Sequence, residues 1–346
     1  MPSTIDEVAG ATDAPPVARL RDVHIGFGAH GRERPVIRGV ELDLVPGRVT
    51  ALVGESGSGK SMTTLALMGL LPKGARVSGG SVEIDGQDTA GFTDAQWRRL
   101  RGPKIAMVFQ DPMAALNPSF TVGWQVAETF RRHRGVSRRT ARDRAVALMR
   151  TVGIPDAEHK YDAYPHEFSG GMRQRAVIAM ALALEPEILL ADEPTTALDV
   201  TVQAQILRLL TTRQAEARMA MLLVSHDLGV VASVAQHVAV MYAGRIVEAG
   251  PLDEVYTRPA HPYTRGLLDA MPDPGRPGRL VPIGGQPPVP GTVRAGCAFA
   301  PRCRFATEVC RTDDPEPVPI AGTGPATSTG HTAECHHTAR VLGAQS

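Results

Sequence analysis

Gly54-Glu-Ser-Gly-Ser-Gly-Lys60-Ser61 is the stretch that decides the fold. It fits the pattern G-x-x-x-x-G-K-[S/T] and follows Arg48-Val-Thr-Ala-Leu-Val53, an apolar run that reads as a buried strand. Glycines let successive backbone N–H groups curl around an anion with no Cβ in the way. A helix starting near Lys60 aims its positive end at the same place. Lys60 is placed to reach the β- and γ-phosphates of a nucleotide, and the Ser61 hydroxyl to ligate Mg2+. Glu55, Ser56, Gly57, Ser58, Gly59 and Met62 complete the candidate ATP-binding loop with Gly54.

Working outward, three more apolar runs read as strands: Lys104–Phe109, Glu187–Ala191 and Met219–Val224. Each leads into polar or charged residues. In open parallel sheets ligands gather at the C-terminal strand ends, so these strands point to one shared site. Asp192 follows the second run and would reach the metal, through water. Glu193 is one residue on, where a carboxylate can polarise a water that attacks the γ-phosphate. Gln110 follows the first run; its amide can ligate Mg2+, orient water or sense loss of the γ-phosphate. His226 follows the third, placed to hydrogen-bond the γ-phosphate and to fix Glu193 and the water. Farther along, Phe168-Ser-Gly-Gly-Met-Arg-Gln-Arg175 opens a helical run from Ala176 to Leu184. Ser169, Gly170 and Gly171 there form a second anion-binding helix start. One nucleotide need not use both starts of one chain; a head-to-tail pair of chains would set the second against the partner's ATP.

The 346 residues suggest about two domains. Lys plus Arg is 37 against 36 for Asp plus Glu, a net charge of +1, which argues against a general nucleic-acid binder. Residues 1–16 lack a basic stretch leading into an apolar one, so no signal peptide is expected. The longest apolar candidate, Asp227 to Arg245, is broken by Ser233, Gln236 and His237 and falls short of a membrane span. A cytoplasmic protein is expected, anchored by other chains if it works at a membrane.

Three regions differ in texture. Residues 1–16 read as a loose tail. Residues 17–250 alternate β-branched runs with helical patterns, an α/β fold, with an inserted helical subdomain at about 123–185. A basic run from Arg131 to Arg144 in it reads as solvated helix faces, with acidic lipid or a partner as the alternative. Residues 251–346 hold 15 of the 28 prolines and read as a small Pro-rich appendage. All four cysteines lie there, as Cys297-x5-Cys303-x6-Cys310-x24-Cys335. In a cytosolic chain such clustering favours a metal over disulfides. No C-x2-C pair is present, and spacing leaves zinc, an iron–sulfur cluster and free or disulfide thiols open. His331, His336 and His337 allow a mixed ligand set.

The ordered set resembles the ATP-binding-cassette ATPases, over roughly residues 17–250. In that likeness Gln110 is the Q-loop, Ser169-Gly170-Gly171 the signature, Ala197-Leu-Asp199 the D-loop and His226 the switch; Phe27 lies where an aromatic stacks on adenine. Gln110-Asp-Pro-Met-Ala-Ala-Leu-Asn-Pro118, Tyr164–Arg175 and His261-Pro-Tyr-Thr-Arg-Gly-Leu-Leu268 are similar to the oligopeptide/dipeptide/nickel importers, and Met172 to their D-type ATPase subunit. The resemblance implies a P-loop cassette in which two subunits sandwich two ATP molecules. Lys60, Glu193 and His226 would act in hydrolysis; Ser61, Gln110 and Asp192 would hold Mg2+, and Asp199 would join the ATP site. It implies a non-identical F-type partner ATPase, two membrane-spanning permeases and an extracytoplasmic substrate-binding protein. The chain would then sit peripherally on the cytoplasmic face of the membrane. It further implies a [4Fe–4S] cluster on Cys297, Cys303, Cys310 and Cys335. Peptides are the first expected cargo, with nickel or another small solute behind. A soluble, non-transport cassette ATPase is the reading from another class.

Overall fold

The computed structural model describes residues 14–28, 33–196, 198–271, 282–289, 291–292, 295–321 and 330–344. Residues 1–13 of the expected tail and Ala197 of the D-loop lie outside this set. The strands are β1 (Ala18–Phe27), β2 (Arg34–Leu44), β3 (Val49–Val53), β4 (Ala75–Ile84), β5 (Gln87–Asp88) and β6 (Ile105–Val108). They continue as β7 (Ile188–Asp192), β8 (Ala220–Ser225), β9 (His237–Tyr242), β10 (Arg245–Pro251), β11 (Pro317–Pro319) and β12 (Thr332–Glu334).

Two sheets form. Strands β2-β1-β4-β5 make a four-stranded antiparallel sheet, and β11-β12-β10-β9-β3-β8-β7-β6 an eight-stranded mixed one. Its centre is parallel: β3 pairs with β8 and β9, and β7 with β8 and β6. These central strands read as continuous apolar runs because both faces are covered. Ala51, Val53, Leu189 and Leu223 face one core, shared with the helical segment. Their neighbours Leu52, Leu190 and Leu222 face a second core, shared with the antiparallel sheet. The period-two side-chain alternation of a strand thus divides each apolar run between two cores.

Between β6 and β7 run the helices Val122–Arg134, Arg138–Thr151 and Gly170–Leu182, capped by the side chains of Thr121, Ser137 and Ser169. Much of the basic run is engaged here. Arg131 and Arg132 pair with Glu128 at 2.8 and 3.1 Å, one helical turn away, and Arg142 pairs with Asp162 at 3.2 Å.

The C-terminal region is stitched to the cassette through β10. Strand β12 pairs with it, and β11 with β12. The buried Glu248 of β10 accepts hydrogen bonds from the backbone N–H groups of Ala260 (2.7 Å) and His261 (3.0 Å), and it meets His331 Nε2 at 2.8 Å. No helix among the described residues is long and apolar enough to cross a membrane.

Candidate nucleotide site

The loop after β3 is shaped by its glycines. Gly54 has φ +156°, and a Cβ there would lie 2.1 Å from the Met241 carbonyl oxygen. Gly59, with φ +114°, caps the helix Lys60–Leu67 and packs against Ile37. The Lys60 side chain is buried, and its ammonium donates to the carbonyls of Gly54 (2.7 Å) and Glu55 (3.0 Å). Burial lowers its pKa, opposed by the nearby carboxylates of Glu193, Asp192 and Glu55.

Asp192 ends β7 and is buried. Burial raises its carboxyl pKa, while a hydrogen bond from Ser61 pulls the other way. Its Oδ1 has no hydrogen-bond partner among the described residues. A buried carboxylate oxygen without a partner, beside a serine hydroxyl, is a donor set suited to a hard divalent cation such as Mg2+.

Glu193, next in sequence, is the hub. Its backbone adopts a left-handed conformation, φ +46°, and its N–H donates to Val224 O of β8 at 3.0 Å. That departure from the strand turns the carboxylate to the sheet's C-terminal edge. There Oε2 accepts from Gln110 Nε2 (2.9 Å) and from Thr196 Oγ1 (2.9 Å), and Oε1 faces His226 Nδ1 at 3.3 Å. Lys60, Ser61, Gln110, Asp192, Glu193 and His226 therefore share one site at the ends of neighbouring strands, where the sequence placed them.

Other expected residues lie elsewhere. Ser169 Oγ caps its own helix, accepting from Met172 N at 3.3 Å, and Asp199 caps Val200–Ala217, accepting from Val202 N at 2.9 Å. These two helix starts meet each other: a Cβ on Gly171 would lie 2.9 Å from Val202 Cγ1. Among the described residues, no hydrogen bond or ion pair joins Ser169, Gly170, Gly171 or Asp199 to the Gly54–Ser61 loop. Phe27 is exposed at the end of β1, in register with Arg34 and Ala75.

Sequence reasoning missed Thr196, Tyr263 and Arg302. The Tyr263 hydroxyl accepts from Glu55 N at 2.8 Å, and the Arg302 guanidinium holds the Glu55 carboxylate with two bonds, of 2.8 and 3.0 Å. The motif His261-Pro-Tyr263 carried the only signal for the first, and nothing in the spacing linked either residue to the loop.

The four cysteines are free thiols that line one small cavity beside Phe299. Burial raises the Cys297 and Cys303 thiols and pushes Cys335 up to about 12. Backbone N–H groups of Phe305 and His337 point at Cys303 Sγ and Cys335 Sγ, both at 3.3 Å. The expectation of a metal goes further than this. No group of three or more Cys, His, Asp or Glu among the described residues is arranged to hold a metal ion. The mixed ligand set is not formed either: His331 is engaged by Glu248, His336 by Asp313 O and His337 by Thr307.

Comparison with known proteins agrees with this geometry. The ABC transporter family model matches residues 37–196, and that of the oligopeptide/dipeptide transporter C-terminal region matches 247–310. The dipeptide transport ATP-binding protein DppD of Bacillus subtilis is 48% identical over 296 residues, 85% of this chain and 88% of that protein. The oligopeptide transport ATP-binding protein AmiE of Streptococcus pneumoniae is 48% identical over 295 residues, 85% of this chain and 83% of its own length. Among solved structures, a dimeric ATP-binding cassette in a post-hydrolysis state with ADP and Pi superposes with a TM-score of 0.61 at 28% identity, covering 68% of this chain and 98% of that one. With its phosphate loop, acidic strand end and matching C-terminal region, the chain belongs to the ABC transporter family.

Proposed function

We propose that this chain is the ATP-hydrolysing subunit of a peptide importer. The observation that carries the reading is the Glu193 carboxylate, held by Gln110 and Thr196 opposite His226 and one residue from the Asp192–Ser61 pair. ATP lies along the Gly54–Ser61 loop, with Met62 in the first turn beyond and Phe27 against the adenine. Lys60 exchanges its two loop carbonyls for the β- and γ-phosphates, with little reorganisation because it is already buried. Mg2+ would be held by Ser61, Gln110 and Asp192, and supplies charge stabilisation to the transferring phosphoryl group. Glu193 orients a water and takes its proton as the water oxygen bonds to the γ-phosphorus and the bond to the ADP oxygen breaks. His226 steadies Glu193 and the γ-phosphate.

Residues 17–250 act as the cassette and 251–346 as its C-terminal domain. Ser169, Gly170, Gly171 and Asp199, which sit at their own helix starts, serve the nucleotide of a second, non-identical ATPase subunit. Closure on ATP and reopening on hydrolysis drive two permease subunits, supplied by an extracytoplasmic binding protein, with this chain peripheral on the cytoplasmic face. Peptide cargo follows from the C-terminal region match and from the names of the relatives.

The cysteine cavity is the place for a [4Fe–4S] cluster on Cys297, Cys303, Cys310 and Cys335. Four free thiols lining one cavity support it, and they are the residues that would hold the cluster. Anaerobic assay of iron, acid-labile sulfide and zinc checks this: about four irons and four sulfides per chain are expected, and zinc or no metal refutes it.

The function is tested by peptide uptake in cells whose only copy carries Lys60→Ala. Uptake falls to background and nucleotide binding by the purified chain is lost. Normal peptide uptake with nucleotide binding lost would refute the cargo assignment.

A further inference from the structure

We infer that Arg302 and Tyr263 are positioning residues for the phosphate-binding loop, through which the C-terminal region governs how tightly this chain holds ATP. The inference rests on the reading that ATP binds that loop. Both grips fall on Glu55, the second residue of the loop. Tyr263, fully buried, accepts from its backbone N–H at 2.8 Å. Arg302 holds its carboxylate as a two-pronged fork, and the Arg302 side chain is only 5% exposed. The guanidinium is itself fixed: Nε donates to Gly284 O at 2.8 Å, Nη1 to Tyr242 Oη at 3.3 Å, and the Phe299 ring lies alongside with its centroid 5.7 Å away.

A buried ion pair is a poor source of stability, because desolvation cancels much of its attraction. A fork on a planar carboxylate is a good source of orientation. This loop needs orientation. Its glycines free it to take the phosphate-binding shape and equally to leave it, and a loop that is competent only part of the time binds proportionately more weakly. Arg302 also sits in the short 3₁₀ turn Ala300–Arg302 between two cysteines, with Ala300 N donating to Cys297 O at 2.9 Å and Cys303 N to Ala300 O at 3.2 Å. Whatever sets the cysteine cavity therefore sets the fork.

The test is the affinity of the full-length chain for a fluorescent ATP analogue, with ATPase kinetics and a nucleotide-free melting curve. Arg302→Ala is expected to weaken binding about tenfold, about 1.4 kcal/mol, and to raise KM with kcat kept within about twofold. Arg302→Lys, a point charge without the fork, falls between. Tyr263→Phe, which keeps the ring, weakens binding in the same direction. Glu55→Ala combined with Arg302→Ala is no weaker than the worse single variant. Unchanged affinity in folded Arg302→Ala, or strictly additive losses in the double variant, would overturn the inference. If Arg302→Ala does not fold, Tyr263→Phe and Glu55→Gln decide it alone. Failure of the unaltered chain to bind the analogue is a different result, and it sinks the nucleotide reading itself.

Discussion

Replacing Glu193 by Gln separates chemistry from architecture, because the site can accept the amide without loss. Glu193 Oε2 accepts two hydrogen bonds, from Gln110 Nε2 and Thr196 Oγ1, and Oε1 faces His226 Nδ1. A glutamine with its carbonyl oxygen in the Oε2 position keeps both acceptor bonds, and its amide nitrogen takes the place of Oε1 opposite His226 Nδ1. Backbone strain is unchanged, since either residue must adopt the same φ of +46°. Folding and nucleotide affinity should therefore move by less than about 0.5 kcal/mol. What disappears is the proton acceptor, a contribution of about 10²–10⁴ in rate, or about 3–5 kcal/mol of barrier. The assay is steady-state phosphate release at saturating Mg·ATP, beside analogue binding and a melting curve. Turnover down at least a hundredfold with unchanged affinity is expected. Turnover within threefold of the unaltered protein, with affinity intact, would refute Glu193 as the base and leave water orientation to Gln110 or His226.

Gly54→Ala places a Cβ against the Met241 carbonyl at a φ that L-residues rarely adopt; it should cost about 3 kcal/mol in urea titrations and abolish nucleotide binding. Glu248→Ala strands the Ala260 and His261 N–H groups and removes the nearer of the two carboxylates around His331, leaving Glu254 at 3.8 Å, so about 3–5 kcal/mol of stability is lost, read as a lowered urea midpoint. Acid should weaken the fold from a defined side. Burial holds His261 at about 3 and His237 at about 4, against 6.5 when unfolded. Both are neutral in the fold, and the unfolded chain takes up their protons first. Stability is thus full above about pH 6.5 and falls as pH drops towards 4, by up to about 1.4 kcal/mol per pH unit for each histidine. His261→Asn, which can still cap its helix, should flatten that limb in a pH series of urea midpoints.

The parallel core and the polar side chains gathered at its C-terminal edge were legible because each rests on local chemistry. An apolar run followed by a polar residue identifies both a strand and the group it delivers, and the strands ending at Val53, Val108, Asp192 and Ser225 lie where those runs lay. In the basic run, Arg131, Arg132 and Arg142 pair with acids on neighbouring helical surface. The antiparallel sheet was less visible. In β4, Ala75–Ile84, the burial alternation appears only at the end of the strand, so its pairing with β1 had no periodic signature.

The least legible feature is also the one that ties the two halves of the chain together. A phosphate-loop motif specifies what the backbone must do, and its glycines say that the backbone is free to do it. It does not say what holds the loop in that shape. Here the hold comes from more than 200 residues away in sequence: Tyr263 lies 208 residues beyond Glu55 and Arg302 lies 247. No local pattern encodes a contact at that separation. A lone arginine beside a cysteine reads as surface charge until the fold buries it against the loop. The motif position filled by Glu55 tolerates many residues, so its carboxylate carries no weight when the motif is read alone. That carboxylate acquires meaning only from Arg302, and Arg302 only from the turn between Cys297 and Cys303. Among the described residues no hydrogen bond or ion pair joins the C-terminal region to Glu193; its grip falls instead on Glu55, whose carbonyl also receives the Lys60 ammonium, and that is the route by which it would act on nucleotide affinity.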